Sequence, residues 1–167
     1  NPGDGAFYGP KIDFHIKDAI GRTWQCGTCQ LDFQMPEKFE LTYEGQDGKK
    51  HQPIMLHRTV YGSIERFFGV LTEHFAGKFP LWMAPVQIKL LPIADRHLEH
   101  CKKLMEQFNE QNIRDEVDDR VESTSKKVRD AQLKKIPLMI TVGDKEIENG
   151  TLAIRTLDGK VKFGVKT

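Results

Sequence analysis

Long hydrophobic runs, a large set of cysteines and a strong net charge are all missing from this chain of 167 residues. A membrane-spanning helix needs about 20 apolar residues, and every apolar run here is shorter. No signal peptide is recognisable. Three cysteines, an odd number, fit a reducing compartment better than a disulfide scaffold. The net charge of +1 is too small to indicate a nucleic-acid partner by itself.

What is present is the composition of a soluble globular protein. Hydrophobic residues make up 38% and charged residues 29% of the chain, which argues against disorder. The length allows one or two domains with a real core. Because the first residue is Asn1 and not methionine, we expect a processed product or an excised piece of a longer chain.

The first half has the pattern of an antiparallel sheet. Residues 11–17 alternate, with Ile12, Phe14 and Ile16 on one face, as in a strand with one solvated side. A turn through Gly21 leads to a second strand, residues 23–33, which we expect to pair with the first as a hairpin. Residues 37–53 are expected to form a surface excursion with a hairpin turn at 46–49.

The second strand carries an unusual set of small or neutral polar residues, of the kind that a small polar ligand requires. They are Gln25, Cys26, Thr28, Cys29 and Gln30. A regular strand would point Gln25 and Gln30 to opposite faces. Both can face one pocket only if a β-bulge resets the alternation, and the sequence predicts that bulge near Gly27.

The stretch from Ile54 to Phe75 organises the first half. An apolar strand carrying His57 is followed by a helix, and Ser63 is placed to cap that helix. One helix face is predicted to be buried, and it is formed by Ile64, Phe67, Phe68, Leu71 and Phe75. Arg66 lies one turn inside the helix, where its guanidinium suits a phosphate. The alternative is a surface arginine in a salt bridge.

The second half alternates strands and helices. Strands are predicted at 86–93, 113–119 and 138–143, helices at 95–112 and 124–135, a loop at 144–150, and a terminal hairpin around Asp158 and Gly159. This order predicts a mixed sheet with helices on its faces. We therefore predict two domains, residues 1–84 and 85–167. The basic cluster of the second helix is formed by Lys126, Lys127, Arg129, Lys134 and Lys135.

Several runs of residues together resemble the threonyl-tRNA synthetases, a family of class II aminoacyl-tRNA synthetases. In the first half they are Ala6-Phe-Tyr-Gly-Pro-Lys-Ile-Asp-Phe14, Trp24-Gln-Cys-Gly-Thr28, Gln30-Leu-Asp-Phe33, His57-Arg58 and Gly62-Ser-Ile-Glu-Arg-Phe67. In the second half they are Ala84-Pro-Val-Gln87, Ala131-Gln132 and Val142-Gly-Asp-Lys-Glu146. The resemblance covers essentially the whole chain. It implies the C-terminal part of a class II catalytic domain (α+β, antiparallel sheet) followed by an α/β mixed-sheet anticodon-binding domain.

The resemblance also implies the chemistry: ATP-dependent activation of threonine and its transfer to tRNA(Thr). Residues 62–66 match class II motif 3, whose arginine, here Arg66, binds the ATP triphosphate. Lys11, Gln25 and Gln30 match positions that line the threonine and ATP pocket, with Thr28 and Ser63 beside them. Attack of a carboxylate on the α-phosphate needs positioning and charge neutralisation. Mg²⁺ is the expected companion of ATP, and the family is homodimeric and cytoplasmic in bacteria and archaea.

His57 matches a histidine that ligates the active-site Zn²⁺ of the family. The other two ligands, together with motifs 1 and 2, are expected upstream of this chain. Three protein ligands are usual for a catalytic zinc, so the chain alone is expected to be inactive. Without the resemblance, a single histidine after an apolar run is more typical of a structural residue.

The second half resembles the anticodon-binding domain of class II synthetases. Glu146 and Arg155 match positions that read anticodon bases, and Lys135 replaces an arginine near them. Single-stranded bases are commonly read in this way, and the basic helix would meet phosphates. A solvated helix face is the alternative. Arg120-Val-Glu-Ser-Thr-Ser125 departs from the usual bacterial pattern, which puts base recognition by that loop in doubt.

Two further interpretations stay open. The spacing of Cys26 and Cys29 is that of a redox pair, but such a pair needs its first cysteine at a helix N-terminus, whereas the sequence continues as a strand. The other is a non-catalytic tRNA-binding or dimerisation module derived from a class II synthetase. ATP–pyrophosphate exchange with threonine separates that module from the enzyme.

Overall fold

The computed structural model describes residues 3–166. The chain divides into two compact units between His74 and Phe75, here called unit 1 and unit 2. The domain ranges predicted from the sequence, 1–84 and 85–167, stay a prediction. Among the described residues, no helix is both long and apolar enough to cross a membrane.

Unit 1 is built on a three-stranded antiparallel sheet in the order β1-β2-β5. The elements in chain order are β1 (Lys11–Lys17), β2 (Thr23–Asp32), α1 (Gln34–Lys38), β3 (Tyr43–Glu44), β4 (Lys50–His51), β5 (Met55–Thr59) and α2 (Ile64–Phe75). The predicted hairpin and the strand-then-helix stretch are present. The excursion between 37 and 53 folds back as the short pair β3–β4.

The β-bulge predicted near Gly27 is present in β2. Phe14 is opposite Gly27, whereas the next residue of β1, His15, is opposite Gln25, so Cys26 is the extra residue. A bulge of this kind shifts the alternation by one position. Gln25, before the bulge, and Gln30, after it, therefore lie on the same face of the sheet.

The apolar face predicted for β1 is exposed in unit 1. The side chains of Ile12 and Phe14 are 63% and 59% exposed. The buried stripe predicted for α2 is wrong: Ile64 and Phe68 are exposed, the other three predicted residues are only half-buried, and the buried residue of the helix is Val70, which the prediction did not include. Periodicity identifies which residues share a face, but burial requires a second element against that face.

Unit 2 contains a five-stranded mixed sheet in the order β10-β9-β8-β6-β7. Its elements are β6 (Ile88–Pro92), a 3₁₀ turn (Asp95–His97), α3 (Leu98–Glu110), β7 (Asp115–Val117), α4 (Thr124–Leu133), β8 (Leu138–Val142), α5 (Asp144–Asn149), β9 (Thr151–Thr156) and β10 (Val161–Lys166). β6, β7 and β8 are parallel, and β9 and β10 are antiparallel. The mixed sheet is confirmed.

One element of unit 2 was predicted wrongly. The stretch 144–150 is the helix α5 followed by Gly150, not a loop. Gly150 has a φ of +59°, a left-handed conformation that ends helices and favours glycine. The acidic residues Asp144 and Glu146 lie in the first turn, where they complement the helix dipole.

Both faces of the sheet in unit 2 are buried. One core cluster contains Ile88, Leu90, Cys101, Leu104, Ile140, Val142 and Leu152, and thus joins α3 to one side of the sheet. A second cluster contains Leu91, Ala131, Ile136 and Met139, and joins α4 to the other side. This explains the nearly continuous apolar runs of β6 and β8, which are typical of strands covered on both faces.

Candidate functional site

One face of the sheet in unit 1 collects most of the polar residues that the sequence singled out. Residues directly opposite in an antiparallel pair share a face. Lys11 is opposite Gln30, and Gln30 is opposite His57 on its other side. Likewise Thr28 is opposite Asp13 and Thr59. The bulge adds Gln25 to this polar face, and its Nε2 donates to Thr28 Oγ1 at 3.2 Å.

A cavity of about 400 Å³ opens on this polar face. Its lining comprises Phe7, Tyr8, Thr28, Gln30, Asp32, Gln34, Met35, Lys38, His57 and Thr59. It therefore brings together three predicted site residues, Thr28, Gln30 and His57. Lys11 lies outside it, on a separate cavity with Asp13 and His15, and its ammonium pairs with Asp13 at 2.9 Å. That contact raises the pKa of Lys11, with the hydrogen bond to Asp13 as the largest cause.

Gln30 is buried and fixes the loop before β1. Its Nε2 donates to the carbonyl of Gly9 at 3.2 Å. Gly9 approaches β2 so closely that an added Cβ would lie 2.2 Å from the carbonyl oxygen of Leu31, which only glycine tolerates. This contact places Tyr8 on the cavity. Tyr8 was quoted in the sequence pattern but was not predicted as a site residue.

His57 is held by Asp32, a residue that the sequence analysis did not propose for the site. His57 Nε2 lies 3.0 Å from Asp32 Oδ2, and Asp32 Oδ1 accepts from the backbone N–H groups of Gln34 and Met35 at 2.9 Å each. The pKa of Asp32 is lowered, chiefly by the Met35 N–H, with further contributions from His57 and Gln34 that outweigh the effect of burial. The signal that could have identified Asp32 is a carboxylate two positions from Gln30, on the same strand face.

The described residues do not form a metal centre by themselves. Between residues 3 and 166, no group of three or more His, Cys, Asp and Glu side chains could hold a metal ion. His57 with Asp32 has the arrangement of a histidine oriented by a carboxylate, which is common behind metal ligands. One histidine is nevertheless fewer than the three ligands typical of a catalytic zinc.

Arg66 lies in the first turn of α2, and its side chain is exposed. The predicted cap is present, since Ser63 Oγ accepts from Arg66 N at 3.4 Å and donates to Glu65 at 2.8 Å. The guanidinium Nη1 donates to the carbonyl of Gln25 at 3.3 Å. Two of the predicted site residues, Arg66 and Gln25, are therefore in contact, and the remaining donors of this exposed guanidinium can bind an anion.

Unit 2 carries a second candidate site, which contains two of the three predicted anticodon residues. Glu146 and Arg155 line one cavity of about 450 Å³, together with Ser125 and Phe163. Glu146 Oε2 accepts from Gly143 N at 3.0 Å, and Arg155 Nη1 donates to Gly159 O at 3.3 Å. Lys135 lines a different cavity, with Arg129 and Gln132.

The predicted basic cluster is smaller on the surface than the sequence suggested. Lys127 is buried, and its Nζ donates to the carbonyls of Pro92 and Asp118 at 3.2 and 3.0 Å. Lys126 forms an ion pair with Glu122. The exposed cations that remain are Arg129, Lys134 and Lys135. The loop at 120–125 supplies Ser123 as the cap of α4, accepting from Lys126 N at 3.3 Å.

The redox interpretation of the cysteine pair finds no support in this geometry. Cys26 and Cys29 both lie within the strand β2, and Cys26 is buried. A thioredoxin-type pair instead has its first cysteine in the first turn of a helix. The absence of a second Cys-x-x-Cys in the sequence points the same way.

Comparison with known proteins finds one matching family model for each half of the chain. A family model described as the tRNA synthetase class II core domain (G, H, P, S and T) matches residues 2–75, and one described as the anticodon binding domain matches residues 84–167. The threonine–tRNA ligase of Desulforapulum autotrophicum is 62% identical over 165 residues, which is 99% of this chain. The chain belongs to the threonine–tRNA ligase family.

Other members agree in sequence and in structure. The threonine–tRNA ligase of Caldanaerobacter subterraneus subsp. tengcongensis is 64% identical over 93% of the chain. A crystal structure of the RNA binding domain of threonyl-tRNA synthetase from Cryptosporidium parvum has a TM-score of 0.90 and 36% identity, covering 99% of this chain and 42% of that one. The chain spans about a quarter of the length of these ligases, 26% and 24%. The predicted family and fold class are confirmed.

Proposed function

We propose that this chain is part of a threonine–tRNA ligase that activates threonine with ATP and transfers it to tRNA(Thr). Unit 1 contributes half of the activation site and unit 2 contributes anticodon binding. The observation that carries the proposal is the arrangement in unit 1. Arg66 contacts the backbone of Gln25, and Gln25 shares a sheet face with Gln30 and His57.

Arg66 is assigned to the triphosphate of ATP. In activation, a carboxylate oxygen of threonine forms a bond to the α-phosphorus while the bond to pyrophosphate breaks, giving threonyl-adenylate. Charge on the departing pyrophosphate needs a fixed cation, and Arg66 is an exposed guanidinium at a helix start. Lys11 supplies a second cation from β1 after exchanging its contact with Asp13 for a phosphate. Mg²⁺ accompanies ATP as part of the substrate.

The cavity lined by Thr28, Gln30 and His57 is assigned to threonine. Neutral donors and acceptors there suit a hydroxyl and an amino group, and a site that binds a hydroxyl discriminates strongly against its absence. The side chain of Gln25 donates to Thr28, and its backbone carbonyl accepts from Arg66. Ser63 acts as a helix cap beside the site, since its hydroxyl serves Arg66 N and Glu65. His57 stays a predicted Zn²⁺ ligand, and no step of the proposed reaction is assigned to that ion.

Unit 2 is assigned to tRNA. Glu146 and Arg155 share a cavity in which an acceptor and a planar cation can read an unstacked base. The exposed Arg129, Lys134 and Lys135 are assigned to phosphates. We further propose that the complete ligase is a cytoplasmic homodimer, as the family resemblance implies.

The decisive experiment is ATP–pyrophosphate exchange with threonine. Residues 1–167 alone are expected to show none, and the complete ligase containing this segment is expected to be active. Arg66→Ala in the complete ligase should reduce exchange by about 100-fold or more, the size of losing a fixed charge-stabilising donor. Arg129→Ala is the matched control. It removes a proposed contact to tRNA, and because ATP–pyrophosphate exchange proceeds without tRNA, it should leave exchange unchanged. Robust exchange by the isolated chain would overturn the assignment of an incomplete site.

A second candidate is a non-catalytic tRNA-binding module. It is favoured because unit 2 has its own hydrophobic core on both faces of its sheet. The first measurement is binding of tRNA(Thr) by the 167-residue chain at two salt concentrations, and a lack of binding would contradict both candidates. The ligase proposal and the module proposal both expect salt-sensitive binding. If the complete parent chain shows ATP–pyrophosphate exchange and that exchange depends on Arg66, the result supports the ligase. If the complete parent chain shows no exchange, the result supports the module.

A further inference from the structure

The indole ring of Trp24 lies beside the guanidinium of Arg66. The Arg66 Cζ atom is 5.8 Å from the ring centroid, and the Arg22 Cζ atom is 5.3 Å from it. Both distances are within the range of a cation–π interaction. Trp24 immediately precedes Gln25, whose carbonyl accepts from Arg66. Two consecutive residues of β2 therefore contact one guanidinium, one through a ring and one through a backbone oxygen.

The ring itself is fixed from behind by Asp18. Trp24 Nε1 donates to Asp18 Oδ2 at 2.9 Å, and Asp18 is 8% exposed. Asp18 also accepts from the backbone N–H groups of Ile20 and Arg22, at 3.1 and 2.8 Å, and from Arg22 Nε. A carboxylate with this many donors has little freedom to move, so the indole it anchors keeps one orientation.

The helix that carries Arg66 is tied to the same hairpin a second time. Glu73 lies seven residues after Arg66 on α2, about two turns along and on the same side. Its carboxylate accepts from Arg22 Nη2 at 2.9 and 3.1 Å. The helix α2 is thus joined to residues 18–25 by this ion pair as well as by the contacts of Arg66 itself.

Such a support matters because the side chain of Arg66 is long and flexible. It is exposed, and an arginine side chain loses considerable rotamer freedom when it is ordered. A guanidinium already held in place binds a triphosphate without that loss, which is the general benefit of preorganisation. A tryptophan is the best aromatic partner for a cation, and here its ring orientation is itself fixed.

We propose that Trp24, anchored by Asp18, is a positioning residue that holds the Arg66 guanidinium ready to receive the triphosphate of ATP. The inference rests on the proposed role of Arg66. It predicts an effect confined to the nucleotide: weakening the support changes the KM for ATP and leaves the KM for threonine unchanged. A residue with a merely structural role would alter both substrates together.

The test uses the complete ligase and ATP–pyrophosphate exchange, with Trp24→Leu, Trp24→Phe and Asp18→Asn. Trp24→Leu is expected to raise the KM for ATP by about five- to tenfold, the size of one partly solvated cation–π contact. Trp24→Phe keeps an aromatic face and should give a smaller rise. Asp18→Asn, which keeps the ring but loosens its anchor, should lie between Phe and the unmodified protein. Trp82→Leu, at the other and highly exposed tryptophan, is the matched control and should change nothing.

A double-mutant cycle distinguishes failure of this inference from failure of the proposed function. If Trp24 acts through Arg66, the pair Trp24→Leu with Arg66→Ala should be no worse for ATP than Arg66→Ala alone. Fully additive losses, or a Trp24→Leu variant with unchanged KM for ATP, overturn the inference. If Arg66→Ala itself leaves the KM for ATP unchanged, the proposed function of Arg66 is what fails. Thermal melting of each variant identifies misfolding. If Trp24→Leu misfolds, the test relies on Trp24→Phe.

Discussion

Units 1 and 2 both contain a sheet with apolar strands, yet they bury them differently. In unit 2, α3 and α4 cover opposite faces of the sheet, and Leu90 and Leu91, which point to opposite sides, are both fully buried. In unit 1, Ile12 and Phe14 line one side of the sheet and are mostly exposed. The other side of that sheet carries the polar residues of the candidate substrate site.

This difference shows two ways of holding functional side chains. In unit 2, helix α5 carries Glu146, and it packs on a sheet whose hydrophobic core is complete. In unit 1, Arg66 and His57 are held largely by charged and polar contacts, with Trp24 and Asp32 as their partners. Hydrogen bonds of that kind contribute modestly to stability but fix direction. The predictions below test this division, beginning with the largest effect.

A cavity in the core of unit 2 should be far more costly than truncation on the apolar side of unit 1. We expect Leu90→Ala to lower the free energy of unfolding of unit 2 by about 2–5 kcal/mol. Ile12→Ala is the matched control and should change stability by no more than about 0.5 kcal/mol. Urea titration measures both. Unit 1 contains Trp24 and unit 2 contains Trp82. Replacing one of these tryptophans by Phe leaves fluorescence that reports on the other unit only. Equal losses would mean that the two sheets are covered alike.

Removing the buried ammonium of Lys127 should destabilise unit 2. Lys127→Met keeps the length of the side chain but leaves the carbonyls of Pro92 and Asp118 without their donor. An unsatisfied buried acceptor costs about 1–3 kcal/mol. Lys126→Met, one position away and in an exposed ion pair, should cost less than about 1 kcal/mol. If Lys126→Met proved the more costly, Lys127 would not have the structural role described.

The smallest expected effect is a pH dependence in unit 1. Burial by itself would raise the pKa of Asp18, but hydrogen bonds from Trp24, from the Arg22 side chain and from the backbone lower it to about 2. A carboxyl with a lowered pKa stabilises the fold above its ordinary value, near 4, and that stabilisation is lost as the pH falls towards 2. Asp18→Asn should therefore be less stable at neutral pH and lose less stability on acidification.

The measurement is Trp24 fluorescence during urea unfolding between pH 2 and 7, in a Trp82→Phe background. The two stability curves should converge at low pH. Parallel curves would show that Asp18 is not the group responsible, and would also weaken the anchoring role assigned to it.

Local chemistry made much of this structure predictable. The opposite parity of Gln25 and Gln30 required a bulge, and the bulge is one residue from the glycine named for it. Ser63 was placed to cap α2, and it does so. The alternation of strands and helices in unit 2 predicted a mixed sheet. Each of these follows from neighbours in the sequence, whose geometry is set by the backbone period.

Other features depended on partners distant in the sequence. Asp32 was not assigned to the site, because its role comes from His57, 25 residues away. Lys127 was counted with the basic surface, because nothing local shows that the carbonyls of Pro92 and Asp118 lie next to its ammonium. The separation of Lys135 from Glu146 and Arg155 likewise depends on where α4 and the terminal hairpin pack.

The sequence by itself determined the family, the order of the main strands and helices and the residues that share a face in the strands of unit 1, because these depend on backbone period and on short motifs. The tertiary structure alone decided which faces are covered, which charges are buried and which ring supports Arg66. The physical reason is that burial and charge pairing are properties of two surfaces in contact, and the second surface is usually contributed by a distant part of the chain.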